Sequence, residues 1–301
     1  MNARPMPPAE VDVSPALVRR LVAEQMPDLA GRRLRMLAHG WDNVMVRIGD
    51  DLIARLPRRV VAVDLVRHEQ RWLPGLTSRL PLPIPAPVRL GRPGPGYPWP
   101  WSVVPHLPGD IAWRTPPTDH GRAAVTLAAF LAALHVPAPA QAPRNPVRGI
   151  PLADRAGRLA DNLDRLGAAV DGRAVTRMFR TAAEAPTWDR SPVWLHGDLH
   201  PANILVDGGR VSAVIDFGDI TAGDPATDLA AAWMLLPTED HRTFWDAYAA
   251  AAQHPADDGL RIRARGWALV LSVAFLCHSA DNPLMAGIGR RTFDAVLADD
   301  A

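Results

Sequence analysis

The sequence predicts an α+β fold in two segregated parts, a strand-rich front and a mainly helical back. Three observations carry this. Short apolar runs of strand length cluster before residue 105. Longer stretches with apolar residues at helical spacing fill most of the chain after it. A proline- and glycine-dense passage over 80–100, followed by PHLPGDIA (105–112), separates the two, so we divide the chain into 1–105 and 106–301.

Each element has a local cause. Ser14 is a candidate N-cap and Pro15 a candidate first helical residue, with Leu17, Leu21 and Val22 recurring at helical spacing behind them. RLRML (33–37), NVMVRIG (43–49) and DLIARL (51–56) read as strands, and Gly49-Asp50-Asp51 turns the last two into a hairpin. A helix is predicted from Val60 to Leu73, ended by Pro74-Gly75. VRL (88–90) and WSVV (101–104) read as strands on either side of a rigid proline loop. Behind the boundary, 121–135 is a strong amphipathic helix, 136–151 a proline-rich loop, and 152–185 two helices divided near Gly167. VWLH (193–196), NILV (203–206) and VSAVIDF (211–217) are strand-like, with Asp207-Gly208-Gly209 as a hairpin turn. Helical stretches at about 225–235, 239–252, 258–280 and 284–298 close the chain.

Composition narrows the class. The chain has 301 residues and a formal net charge of +1, which gives no case for nucleic acid as the main partner. Residues 1–105 hold 15 basic and 9 acidic side chains, and 106–301 hold 18 and 23, a distribution that suits polyphosphate in front and a cationic ligand behind. Chance scatter of surface charge accounts for it equally well. No apolar run reaches the roughly 20 residues of a membrane helix, and MNARPMPPAEVDV lacks a secretory apolar core, so a cytoplasmic protein is expected, a monomer by default. The single cysteine, Cys277, allows no internal disulfide. All 33 basic residues are arginine.

The chemistry concentrates in His196-Gly197-Asp198-Leu199-His200-Pro201-Ala202-Asn203, followed by a strand, a glycine turn, a second strand and Asp216-Phe217-Gly218. Histidine, aspartate and asparagine stand at the offsets of the kinase catalytic loop, and D-F-G follows after a hairpin-sized gap. Phosphoryl transfer needs a carboxylate that can take the proton of an acceptor hydroxyl, and Asp198 is placed for it. It also needs hard oxygen ligands for the Mg²⁺ that accompanies a triphosphate, and Asn203 and Asp216 supply them. A β-hairpin with satisfied polar turns would explain any one of these residues but not the whole string.

HGDLHPANILV, followed by VIDFGDITAGDPATDLA, resembles the aminoglycoside phosphotransferase family, a small-molecule and antibiotic kinase branch of the protein-kinase-like fold. The resemblance is strong over 193–233 and looser in the front, at GWDN (40–43), ARLPRR (54–59) and WSVV. It implies a bilobal kinase-like molecule: an antiparallel-sheet N-terminal lobe for ATP or GTP and a helical C-terminal lobe for catalysis and the acceptor. It implies a cation on the third strand paired with a helix glutamate; the usual lysine is missing, and Arg55 and Glu69 occupy the matching places. Taken singly, Arg55 would be an exposed strand cation and Glu69 a solvated helix face. Gly40 and Asn43 stand where the phosphate cover belongs, and Pro105 and Leu107 where the hinge meets the nucleobase. Asp228 and His196 are expected to shape the catalytic loop, and Asp219 and Asp224 its following turn. His200 stands where protein kinases place a lysine near the transferred phosphate; protonated, it would stabilise charge there, and an ordinary loop histidine explains it as well. Acceptor contacts are sought among Asp161, Asp164, Glu239, Asp240, Asp281, Trp233 and Trp267, each alone explained by surface or core.

The function expected is transfer of a γ-phosphoryl group to a small-molecule hydroxyl, with an antibiotic (aminoglycoside, macrolide or related) as acceptor, cationic if the acidic back half is a guide. A metabolite or biosynthetic intermediate is the alternative acceptor. Two other classes compete. A metal-dependent hydrolase would use His196, Asp198 and His200 as ligands, but leaves D-F-G unexplained. A non-catalytic kinase-fold binding protein would explain the missing lysine, but not the survival of Asp198, Asn203 and Asp216.

Overall fold

A computed structural model of the chain describes residues 8–39 and 42–299. The front is a five-stranded antiparallel sheet in the order β1-β2-β3-β5-β4. Its members are β1 (Leu34–His39), β2 (Asn43–Ile48), β3 (Leu52–Pro57), β4 (Arg89–Gly91) and β5 (Trp101–Pro105). The β2–β3 pairing runs in unbroken register from Asn43↔Pro57 to Ile48↔Leu52, so Val44, Val46 and Ile48 share one buried face with Ala54 and Leu56. Helix α1 (Pro15–Gln25) closes that face. Ser14 Oγ accepts from Leu17 N at 3.2 Å, as the cap reading requires, and Leu17, Val18, Leu21 and Val22 are buried against the sheet. Each such side chain contributes about 1.5–3 kcal/mol on leaving water.

Helix α2 (Val63–Thr77) departs from the sequence expectation: it passes through Pro74. Proline forfeits one backbone bond, yet Leu73 and Leu76 on either side are buried in the larger apolar cluster and hold the helix on course. That cluster therefore takes in the end of α2 together with most of the back of the molecule.

The back is built around α3 (His120–Leu134) and α9 (Asp258–His278), capped by Asp119 and Asp257. Around them lie α4 (Ala156–Leu166), α5 (Gly172–Ala183), α6 (Ala226–Leu229), α7 (Ala231–Leu235), α8 (His241–Ala251) and α10 (Pro283–Ala298). The single helix expected over 225–235 is two short ones that meet at Ala230. Two small sheets hold the motif region: β6 (Asp110–Ile111) with β8 (Ile204–Asp207) and β9 (Arg210–Val214), and β7 (Val193–Leu195) with β10 (Thr221–Gly223). The two- and three-residue strands β6 and β10 are too short to leave a periodic signal. Among the described residues no helix is long and apolar enough to cross a membrane.

Candidate active site

A cleft of about 660 Å³ opens between the five-stranded sheet and the β8–β9 hairpin. It gathers Asn43 and Arg55 from the sheet, Pro105 from the end of β5 and Leu107 from the connection after it, and Asp198, Asn203 and Asp216 from the motif. Glu69 reaches Arg55 from α2. Gly40 lies outside the described residues. A cavity of similar size, about 600 Å³, between α5, α9 and α10 holds none of the motif residues.

The cation pair is formed. Arg55 Nη1 donates to Glu69 Oε1 at 2.5 Å and Arg55 Nη2 to Asp216 Oδ1 at 2.7 Å. Arg55 is 8% exposed and Glu69 2%, so neither is the surface charge that either would be alone. Burial would lower the Arg55 pKa, but Glu69 and Asp216 together raise it above its ordinary value. Burial pushes Glu69 up to about 7 against the pull of Arg55, with Asp216 adding to the rise. The sign for stability follows. The folded state holds the Glu69 proton more tightly than the unfolded chain does, so this group's contribution falls as pH rises from its ordinary 4.5 towards about 7. Thermal melts of the wild type and Glu69→Gln across that window should show the wild type losing ground to the variant as pH rises; parallel curves would remove Glu69 as the cause.

Asp216 is, among the described residues, the one non-glycine with a left-handed backbone, φ 63°. Such a conformation costs about 1–3 kcal/mol and persists where the surroundings enforce it. Here Ile215 N donates to Asn203 O at 2.9 Å, stitching the end of β9 to the catalytic loop, and Arg55 holds the Asp216 carboxylate. Phe217 is fully buried, its ring 4.5 Å from that of His196.

The 196–203 loop is held from below. Asp228, fully buried, accepts from His196 N at 2.7 Å and Gly197 N at 2.9 Å. His196 Nε2 donates to Ile215 O at 2.9 Å and its Nδ1 accepts from Asp198 N at 3.2 Å. Both ring nitrogens are thus engaged by backbone, which removes His196 from any metal-ligand set. Gly197 has φ +86°, and a Cβ there would run into the Asp219 carbonyl oxygen, so the loop requires glycine. Asn203 Nδ2 donates to Asp198 O at 2.9 Å, which turns its amide oxygen away from the loop.

A family model described as "Phosphotransferase enzyme family" (APH) matches residues 33–265. The chain belongs to the APH phosphotransferase family. Among curated proteins, none matches the chain by sequence. Solved structures with the same fold include the GDP and kanamycin complex of APH(2")-IIia, 21% identical, covering 95% of this chain and 99% of that one, with a TM-score of 0.70. Macrolide 2'-phosphotransferase MphH from Brachybacterium faecium is 22% identical, with coverages of 95% and 99% and a TM-score of 0.62. The streptomycin-ATP-APH(2")-IIa ternary complex is 17% identical, with coverages of 93% and 95% and a TM-score of 0.61. The bilobal kinase-like fold is shared.

Three further placements complete the site of this phosphotransferase. His200 is buried outside the cleft lining, its Nδ1 accepting from Ala202 N at 3.3 Å and its Nε2 3.4 Å from Asp198 Oδ2, so it addresses the aspartate rather than the cleft. Arg148, which the sequence did not single out, donates from Nη2 to Asp198 Oδ1 at 3.0 Å. Its loop is laced to β10 and α6: Asn145 N donates to Thr221 Oγ1, Gly149 N to Thr227 Oγ1, and Asp224 N to Gly149 O. Burial alone would raise the Asp198 carboxyl, but His200 and Arg148 hold it well below the usual carboxylate range, and it is ionised. His135, also missed, ends α3 and faces Asp228 Oδ2 at 3.3 Å through Nε2, with Nδ1 2.7 Å from the Tyr248 hydroxyl.

The turn aspartates are engaged. Asp219 Oδ1 accepts from Asn145 Nδ2 at 2.7 Å, and Asp224 is gripped by Arg263 Nε at 2.8 Å while capping Ala226 N. The residues suggested for the acceptor are spread between surface and core, with Glu239 exposed. Asp161, Asp164 and Asp281 are exposed, Asp240 lies against the start of α3 near Gly121, and Trp233 and Trp267 are core. The cation beside the catalytic loop, not a cluster of acids, is the nearest charge to Asp198.

Proposed function

We propose that this phosphotransferase moves the γ-phosphoryl group of ATP or GTP onto a small-molecule hydroxyl, with 1–105 serving as the nucleotide lobe and 106–301 carrying the catalytic loop and acceptor site. The observation that carries the proposal is the convergence of Arg55, Asn203, Asp216 and Asp198 on one cleft from three separate chain segments. The acceptor oxygen approaches the γ-phosphorus while Asp198 receives its proton; the bond from the β–γ bridging oxygen to the γ-phosphorus breaks and the nucleoside diphosphate leaves. Arg55, fixed by Glu69 and Asp216, offers the α/β-phosphates the remaining N–H groups of its guanidinium in place of a lysine point charge. Asn43 lines the phosphate end of the cleft, where its side-chain NH₂ is the group able to donate to a phosphate oxygen. Pro105 and Leu107 border the nucleobase. His200 acts through Asp198, as a positioning residue.

The residues fit Mg²⁺. Asn203 Oδ1 and the second oxygen of Asp216 have no protein hydrogen-bond partner among the described residues, and two protein oxygens beside a triphosphate suit this cation better than an all-protein cage. Mg²⁺ bound there would offset triphosphate charge. Among the described residues no cluster of three or more His, Cys, Asp or Glu is arranged to hold a metal. The acceptor class to test first is an antibiotic of the aminoglycoside or macrolide kind, since kanamycin, streptomycin and macrolide enzymes stand among the similar structures.

Calorimetric titration with MgATP and MgGTP tests the nucleotide assignment. Arg55→Met should weaken binding by about 10- to 100-fold, the value of a charge-assisted hydrogen bond of about 1.5–3 kcal/mol. Absence of Mg²⁺-dependent nucleotide binding by the wild type would overturn the reading.

A further inference from the structure

Arg148 meets Asp198 without lining the nucleotide cleft. Its Nη2 is taken by the carboxylate, but its Nε is buried with no partner. Seven residues on, where the same segment turns into α4, stands Arg155. It is 4% exposed, its Nε is buried without a partner, and among the described residues no carboxylate or carbonyl oxygen accepts from its guanidinium. Its contact is with an aromatic face: the guanidinium carbon lies 5.8 Å from the ring centroid of Trp267 on α9. The Trp267 indole N–H is itself buried and unpartnered.

Three buried N–H groups without an acceptor therefore belong to Arg148, to the neighbouring Arg155 and to the Trp267 that Arg155 covers, and every one is a donor. A buried cation with no counter-charge costs several kcal/mol, and native interiors leave few polar groups unpaired. The usual compensation is absent here: burial, Arg148 and Arg158 all depress the Arg155 pKa, to about 10, and no carboxylate acts in the other direction. What such a patch lacks is a partner with negative oxygens, and the guanidinium fork matches the paired oxygens of a carboxylate or phosphate.

We propose that Arg148 and Arg155 form an anion subsite of the acceptor pocket, so that the hydroxyl compound phosphorylated at Asp198 carries a carboxylate or phosphate group within a side-chain length of its reacting oxygen. This rests on the phosphotransfer reading above. It departs from the antibiotic acceptors named above by placing hydroxy acids and phosphorylated alcohols ahead of purely cationic acceptors, and a panel holding both groups decides between them. Arg148 then has two partners in the working enzyme, the catalytic carboxylate and the acceptor's anion, and it sets the distance between them.

The test uses the full chain and three small probes that differ in one group: glycerate, glycerol 3-phosphate and glycerol, titrated calorimetrically at fixed ionic strength with and without the non-hydrolysable nucleotide Mg·AMP-PNP. We expect glycerate or glycerol 3-phosphate to bind at least about tenfold more tightly than glycerol, and which of the two leads identifies carboxylate or phosphate. Arg155→Met should lose that preference and Arg155→Lys recover part of it. Arg155→Met should also melt at the same temperature as the wild type or higher, because a buried unpaired charge has been removed. Equal binding of the three probes, an unchanged preference in Arg155→Met, or a fall in its melting temperature would each overturn the subsite. So would loss of the preference once Mg·AMP-PNP is bound, since the patch would then serve the donor's own phosphate. Failure of Mg·AMP-PNP to bind would sink the phosphotransfer reading instead, while the probe titrations of the free protein still decide whether the anion site exists.

Discussion

Replacing Asp198 with asparagine lowers the phosphoryl-transfer rate by about 10³-fold, within the range of about 10²–10⁴ for loss of a positioned general base, and leaves nucleotide affinity within about twofold. The asymmetry follows from the geometry. Asp198 touches no residue of the phosphate grip; its side chain is engaged by Arg148 at 3.0 Å and by His200 at 3.4 Å. Its backbone carbonyl, not its carboxylate, holds the Asn203 amide. An asparagine keeps the size and one oxygen but cannot receive a proton from the acceptor. Single-turnover kinetics beside a nucleotide titration separates the two effects. A parallel loss of nucleotide binding would place Asp198 in the donor site instead.

Asp228→Ala is expected to carry the largest stability loss, about 3–5 kcal/mol for removing one partner of a buried charged network, or about 10 °C in melting temperature at about 2–4 °C per kcal/mol. Asp228 is fully buried, and its two oxygens serve three donors: His196 N, Gly197 N and His135 Nε2. Alanine orphans all three, and two of them belong to the loop that presents Asp198. Asp228→Asn should retain roughly half of the loss, since one amide oxygen still accepts. Denaturant unfolding of the two variants measures this. A loss below about 1 kcal/mol for the alanine would mean that water satisfies the exposed donors.

The parts of the site legible in the sequence share one property: their spacing is fixed by local structure. Asp198 and Asn203 lie on a single loop, and Asp216 follows one hairpin later, so offsets along the chain translate directly into positions in space. Arg55 and Glu69 were legible only through family resemblance, because a strand and a helix intervene and no period links them. Arg148 was not legible. It stands 50 residues before Asp198 in a proline-rich loop, and its position is set by hydrogen bonds to β10, a strand of three residues with no pattern of its own. His135 was hidden for a related reason: at the end of a strongly apolar helix it looks like a cap residue, and its partners Tyr248 and Asp228 lie about a hundred residues away. The misplaced end of α2 has a tertiary cause, since Pro74 is a local stop signal that burial of Leu73 and Leu76 overrides. The acidic surplus of the back half does not name the acceptor, because net charge over a lobe says little about one pocket; the charged side chain closest to Asp198 is an arginine.

The proposed reaction is transfer of a phosphoryl group to a hydroxyl in this cleft, with Asp198 receiving the proton. The most direct measurement is mass spectrometry after incubation with Mg²⁺ and ATP or GTP and a panel of aminoglycosides, macrolides, hydroxy acids, phosphorylated alcohols and neutral sugars, with Asp198→Asn alongside. The wild type should give a product heavier by one phosphoryl group, and the variant should lose it. Equal product from both would contradict this role, because the proton acceptor would then be a group other than Asp198.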